Sequence, residues 1–254
     1  MIHSIIQPCI ELRGIVSHFW TGSWESILSK PNNTHYIIAN RLTEITFAFN
    51  NTKPNADLVF SSIQGHTYLP RTAVVSEYNH LIGVTFNSYA LNRVFDTQAL
   101  DLSNEFISVD TFLGSKGKTL NEMIASPNTT EKRIKILSDF ILSMLNERFS
   151  NDRLILNSIN KIDLSLGTLR IEDLAKKYHL SEKQFGRRFK AFTGFSPKIF
   201  SRIVRFEASI ANQINSDSLT DLAQKTGYFD QAHFNNEFKS LTGFSPKNFW
   251  KLKD

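Results

Sequence analysis

The hydrophobic pattern along the chain changes period once. Up to about residue 88 the apolar positions come in short runs: IELRGIVSHFW, HYIIAN, TEITFAFN, DLVFSSI, HTYLP, RTAVVSEY and LIGVTFN, divided by turn formers such as PNN, NNTKPN and QG. In TEITFAFN, Ile45, Phe47 and Phe49 alternate with Thr46 and Ala48, the two-residue period of a strand with one buried face. Strands this short and closely spaced, with no crossover helices between them, predict an antiparallel barrel or sandwich. From about Tyr89 the period becomes helical. The stretch TEKRIKILSDFILSMLNERF sets Ile134, Leu137, Phe140, Ile141, Met144, Leu145 and Arg148 at helical spacings, so a long amphipathic helix closes a first domain near Asn151. Packing onto its own sheet and pairing with a second chain are both open to that helix.

Beyond Asp152 the pattern is helical throughout, and it repeats. TGFSPKIF at Thr193 to Phe200 returns as TGFSPKNF at Thr242 to Phe249. The segments Leu174 to Phe200 and Leu222 to Phe249 align over their whole length, with one extra residue in the second turn. Each reads as a short helix, a tight turn, a capped second helix and a glycine stop followed by Ser-Pro. Ser181 with Gln184 forms the pattern of a capping box, and Asp230 caps the matching helix. Gly194 and Gly243 supply left-handed stops, and Pro197 and Pro246 start the next helices. The octapeptide is thus punctuation in a repeated helix-turn-helix unit. Between the units, PKIFSRIVRFEASIAN is one helix of 16 residues, roughly 24 Å long at 1.5 Å per residue.

Rotation by about 100° per residue buries Phe185, Phe189 and Phe192 on the second helix of unit one and turns Lys183, Gly186, Arg187 and Lys190 outward. In unit two it buries Phe234, Phe238 and Leu241. Ala232, Asn235, Asn236 and Lys239 then face out, with Gln231 and His233 on the flanks. These side chains suit DNA: Arg pairs bidentately with guanine, Asn and Gln with adenine, and Lys neutralises phosphate. Two such helices held by one rigid helix can enter successive major-groove turns about 34 Å apart.

Charge supports this assignment. Residues 1–150 hold 12 Lys and Arg against 13 Asp and Glu, net −1, whereas residues 151–254 hold 17 against 11, net +6. The basic excess lies wholly with the repeat, the footprint of a polyanion-binding module beside a neutral one. The hydrophobic content of 41% in 254 residues suffices for two cores. The absence of a long apolar run and of a secretory leader predicts a cytoplasmic protein that enters no membrane. The single cysteine, Cys9, reads as a small core residue.

The residues from about Leu154 to Trp250 resemble the DNA-binding domain of the AraC/XylS family of bacterial transcription regulators. The likeness rests on Leu174-Ala175, Leu222-Ala223, Leu180-Ser181, the segment GYFDQAHFNNEFKSLTGFSP and the long joining helix. It implies base reading by Lys183, Gly186 and Arg187 and by Gln231, Ala232, His233 and Asn236. Three positions depart from the family pattern. His179 stands where a glycine is usual, Asn236 where arginine is frequent, and Gly186 has no side chain to reach a base. Base reading therefore shifts toward Arg187, Asn235 and Asn236, with Lys190, Lys198 and Lys239 on phosphates. The first part resembles, more loosely, the β-rich sensor domains that precede this module; ELRGIVSHFW and LIGVTFNSYALNRVF are the segments concerned. The likeness implies a cupin-like domain at 1–150 that binds a small effector or forms a homodimer, double-stranded DNA and RNA polymerase as partners, and activation as the output.

No histidine pair of H-x-H form occurs among the seven histidines, which argues against a cupin metal. No G-x-S-x-G nucleophile motif is present, and one cysteine cannot build a thiolate zinc cluster. The chain reads as a regulator without enzymatic activity, metal or cofactor. Trp20, His66, Tyr68 and Arg71 are the candidate pocket residues of the first domain, against the commoner reading of aromatic residues in strands as core.

Overall fold

The computed structural model describes residues 2–23, 34–52, 56–74, 80–95, 97–146 and 152–251. The chain divides into two compact units. One comprises Met1–His35, Leu42–His66 and Ala73–Phe149; the other comprises Tyr36–Arg41, Thr67–Thr72 and Ser150–Asp254.

The first unit is built on a six-stranded sheet of β1 (Ile2–Ile6), β2 (Val16–Ser23), β4 (Leu42–Phe49), β5 (Leu58–Gln64), β7 (His80–Asn87) and β8 (Phe106–Ser108). The order is β1-β2-β7-β4-β5-β8 and every pairing is antiparallel. The sheet is open, not the closed barrel or two-layered sandwich that the strand spacing predicts. Three expected strands account for the difference. The HTYLP segment forms only a bridge between Thr67 and Asn40, and β3 (Thr34–Ile37) pairs with β6 (Arg71–Val74) as a separate ribbon. The IELRG part of the first predicted strand is a 3-10 turn at Ile10–Leu12, and β1 precedes it.

Alternation sets the core face as expected. Phe19, Ile45, Phe47, Ile63, Ile82, Val84 and Phe86 form one cluster with Val109 of α1 (Val109–Leu113), Leu120 and Ile124 of α2 (Ser115–Ala125), and Ile134, Leu137 and Ile141 of α3 (Thr130–Ser143). The amphipathic helix therefore packs onto its own sheet. It stops at Ser143, short of Asn151, and Arg148 lies outside the described residues. Cys9 is exposed, not buried: it precedes the 3-10 turn at the surface, its thiol 3.9 Å from Ser138 Oγ.

The second unit contains α4 (Arg153–Leu164), α5 (Ile171–Lys177), α6 (Glu182–Thr193), α7 (Pro197–Asn212), α8 (Leu219–Lys225), α9 (Gln231–Thr242) and α10 (Pro246–Lys251). Phenylalanines anchor its core: Phe189 and Phe195 pack against Phe200 at one end of α7, with Phe185 on Phe189, and Phe238 packs against Phe206 toward the other, with Phe234 on Phe238. The short segment Tyr36–Arg41 belongs to the same unit. Arg41 donates from Nη1 to Asp163 Oδ1 at 2.5 Å and from Nε to Glu207 Oε2 at 2.7 Å, while the Ala39 N–H donates to the Leu241 carbonyl. Burial raises the pKa of both carboxyls, and the Arg41 charge pulls them back down.

Between α4 and α5 the chain turns through Leu166 and Gly167, both at positive φ. Gly167 is at φ +72°, and a Cβ there would lie 2.1 Å from the Ser201 carbonyl oxygen on α7. Gly167→Ala is expected to lower stability by at least about 1–3 kcal/mol from the left-handed backbone alone. A loss under about 0.5 kcal/mol in urea unfolding of the full chain would contradict that packing.

Candidate nucleic-acid interface

Each helix-turn-helix unit is set by local rules. Ser181 Oγ accepts from the Gln184 N–H and the Gln184 side chain accepts from the Ser181 N–H, completing the capping box of α6. Asp230 Oδ1 accepts from the His233 N–H at 2.7 Å and starts α9. Both helices end on left-handed glycines, Gly194 at φ +82° and Gly243 at φ +81°. The turn before α6 passes through His179 at φ +54°, where the second unit has Gly227 at φ +77°. Leu180 and Tyr228 donate back to the Ala175 and Ala223 carbonyls at 3.0 and 2.9 Å, so histidine reproduces the glycine turn at the cost of left-handed strain.

These rules fix which face is free. On α6, Phe185 and Phe189 are fully buried, whereas Lys183, Arg187 and Lys190 are exposed. Gly186 lies between them, and an added Cβ would meet nothing within 4 Å. Arg188 turns aside to pair with Asp152, the N-cap of α4. On α9, Ala232, His233, Asn236 and Lys239 are exposed, as is Lys198 in the first turn of α7.

Three expected base readers are more constrained. Asn235 is half-buried with its Oδ1 shielded from solvent, and Gln231 Oε1 accepts from Thr220 Oγ1 at 2.7 Å. The His233 ring packs edge-on against Tyr228, and its Nε2 lies 3.9 Å from Glu237 Oε2. Glu237 itself is buried at 8% exposure and accepts from Arg202 Nε at 2.5 Å, with Arg205 Nη1 3.7 Å away. The trio of Arg202, Arg205 and Glu237 has almost no signature in the sequence. Its only signal was the spacing of Arg202 and Arg205 on α7, three apart and so on one face.

Residues 174–251 match the family described as a helix-turn-helix domain. That domain takes up about a third of the chain. Residues 4–108 match a second family, a domain of unknown function, DUF6597. No curated protein matches the chain. Among solved structures, an apo ToxT variant from Vibrio cholerae is similar at 10% identity and a TM-score of 0.50, over 91% of this chain and 96% of that chain. The C-terminal domain of AraT, a response regulator from Geobacillus stearothermophilus, is 22% identical over 42% of this chain and 88% of that chain, with a TM-score of 0.37. The ToxT likeness is one of fold: a mostly antiparallel sheet region followed by a helical region.

The first unit holds a second candidate site. Opposite its apolar face, the ladder aligns Trp20 with Gly83 and Thr46, and Glu44 with Thr85 and Gln64. A Cβ on Gly83 would fall 2.4 Å from the Trp20 ring, so the glycine is what lets the indole lie flat across β7. Glu44 retains some surface, yet its carboxyl is enclosed by protein. Burial pushes it up to about 7, with Thr46, Trp20 and Thr85 opposing the shift as donors. His66 is fully buried in the same unit, and burial lowers its imidazole to about 4. Tyr68 and Arg71 are exposed residues counted with the other unit, so the four expected pocket residues are not one cluster within either unit. Among the described residues no group of three or more His, Cys, Asp or Glu is placed to hold a metal, and no helix is long and apolar enough to cross a membrane.

A carboxyl whose pKa is higher in the folded state binds more protons there, so its contribution to stability falls as pH rises from about 4.5 through 7. Glu44→Gln is expected to remove that decline, seen as a rising stability of the variant relative to wild type in urea unfolding from pH 4.5 to 8. Parallel curves would place the carboxyl in water. For the recognition helix, Ser181→Ala is expected to cost about 1 kcal/mol and Ser181→Gly only a few tenths; equal effects in the same assay would discount the capping box.

Proposed function

We propose that the chain reads a bipartite DNA site, with α6 and α9 in successive major-groove turns on one face of a duplex. The observation behind this reading is the repetition of one exposed face. Two helices capped and stopped in the same way present Lys183, Arg187 and Lys190 in one unit, and Ala232, His233, Asn236 and Lys239 in the other, with the 16-residue α7 between them. Arg187 is the natural guanine reader of α6, and Asn236 the adenine reader of α9. Gln231, His233 and Asn235 sit at the edge of the α9 face, where Gln231 and His233 are pre-ordered by Thr220 and Tyr228. Lys190, Lys198 and Lys239 take phosphates.

Residues 1–150 act in this reading as the sensor and dimerisation domain, and 151–254 as the DNA-binding domain. The polar sheet face with Trp20 and Glu44 is the seat for a small effector: the indole offers a stacking surface, and a carboxyl poised near 7 changes charge with its surroundings. Effector binding or dimerisation alters how the helices meet DNA, and contact with RNA polymerase converts binding into activation in a cytoplasmic protein.

In-vitro selection from random duplexes by the full chain is expected to enrich two blocks about one helical turn apart. On the selected site Arg187→Ala is expected to cost about 1–3 kcal/mol and relax one base pair, whereas Lys190→Ala weakens specific and random DNA alike. Equal losses on both DNAs for Arg187→Ala would remove its base-reading role.

A further inference from the structure

The second helix-turn-helix turn is one residue longer than the first, and the backbone shows which residue is the extra one. In both units the residue after the left-handed turn donates back to the matching alanine carbonyl, Leu180 to Ala175 and Tyr228 to Ala223. In the first unit the N-cap Ser181 follows Leu180 at once. In the second, Phe229 stands between Tyr228 and the N-cap Asp230. At 90% exposure Phe229 is the most exposed large hydrophobic side chain among the described residues.

A lone exposed phenylalanine is ordinary on a protein surface. Three features set this one apart. Its backbone is held on both sides: Tyr228 is buried against Phe234, the Phe229 N–H donates to His233 Nδ1 at 3.4 Å, and Asp230 caps α9. It takes no part in local packing. An apolar residue just before an N-cap commonly packs on the fourth residue of its helix, but here that residue, Phe234, is fully buried and already covered by Tyr228 and Phe238. Lastly, Phe229 adjoins the exposed Ala232 and His233 and so extends the face that α9 offers to DNA.

In a recognition helix it is the N-terminal residues that reach base edges, so Phe229 enters the groove with the first turn of α9. The major groove presents donors, acceptors and one apolar group, the C5 methyl of thymine. A phenyl ring laid over the polar groups strips them of water and returns no hydrogen bond. Laid over the methyl, it removes apolar surface of both partners from water. We infer that Phe229 reads a thymine methyl beside the first turn of α9, an apolar readout for which the first unit has no corresponding residue. The inference rests on the proposed entry of α9 into the major groove and adds to it a base contact that needs no hydrogen bond.

The test uses the full chain and the duplex that it selects from random DNA. Each thymine of the site is replaced in turn by uracil, which keeps every hydrogen-bonding group and removes only the methyl. Wild type is expected to lose about fourfold in affinity at one thymine, the effect of one buried methyl group. Phe229→Ala is expected to bind the thymine duplex at least about fourfold more weakly than wild type and to be indifferent to uracil at that position, while Phe229→Leu keeps part of the sensitivity. Both variants are expected to unfold at the wild-type Tm, because the side chain is exposed. A uracil effect that persists in Phe229→Ala belongs to Ala232 or another side chain and overturns the assignment. Equal binding of thymine and uracil duplexes by wild type at every position overturns it as well. Unchanged DNA affinity in Phe229→Ala with lost self-association in sedimentation velocity replaces it with a protein-docking role. If selection enriches no sequence, the DNA reading fails and the thymine contact falls with it; an enriched site with no methyl linked to Phe229 leaves that reading standing and removes the contact alone.

Discussion

Glu237 puts a carboxylate at 8% exposure on the inner side of a recognition helix, and the guanidinium of Arg202 on α7 meets it there. A charge so enclosed is tolerable only while its partners stay in place, since removing one side of a buried pair typically costs about 3–5 kcal/mol. The pair therefore does what apolar packing alone does poorly: it sets register. Phe206 against Phe238 gives α9 a place to lie, but aromatic rings accept small slides along their faces. An ion pair with Nε 2.5 Å from the oxygen does not. The face that α9 offers to a ligand depends on that register, and so does the line from Arg202 through Glu237 to His233.

The same economy operates at the other end of the helical unit. Arg41, from a segment early in the chain, is drawn between Asp163 of α4 and Glu207 of α7, and burial of the two carboxyls is offset by the single guanidinium they share. Two arginine clusters, one on each flank of α7, thus add fixed polar contacts to the apolar packing of the unit.

Local rules were legible in the sequence and long-range ones were not. The capping box, the glycine stops, the proline start of α7 and its 16 residues all depend on neighbours within four positions, and all stand where the pattern puts them. The exposed faces of α6 and most of α9 follow from rotation alone. Alternation likewise assigns Ile45 and Phe47 to the core. What it misassigns is closure of the sheet, because whether strands pair across a gap depends on contacts between distant segments, and HTYLP found a single bridge where a strand was expected. Glu44 and Glu237 were missed for a related reason. A charged residue between apolar ones reads as solvated, and only the far side of the fold, Trp20 over Gly83 or Arg202 on α7, reveals that it is enclosed. Cys9 shows the converse: a small apolar residue type beside an irregular turn sits at the surface.

Gly186 has a consequence for how such a protein changes over time. It occupies the middle of the α6 face between Lys183 and Arg187, its backbone is ordinary helix, and the space above it is open. An added Cβ there meets no packed atom, and alanine improves helix propensity by about 1 kcal/mol. If α6 reads DNA as proposed, a new specificity is one codon away there, with no packed neighbour in the way of the first added carbon.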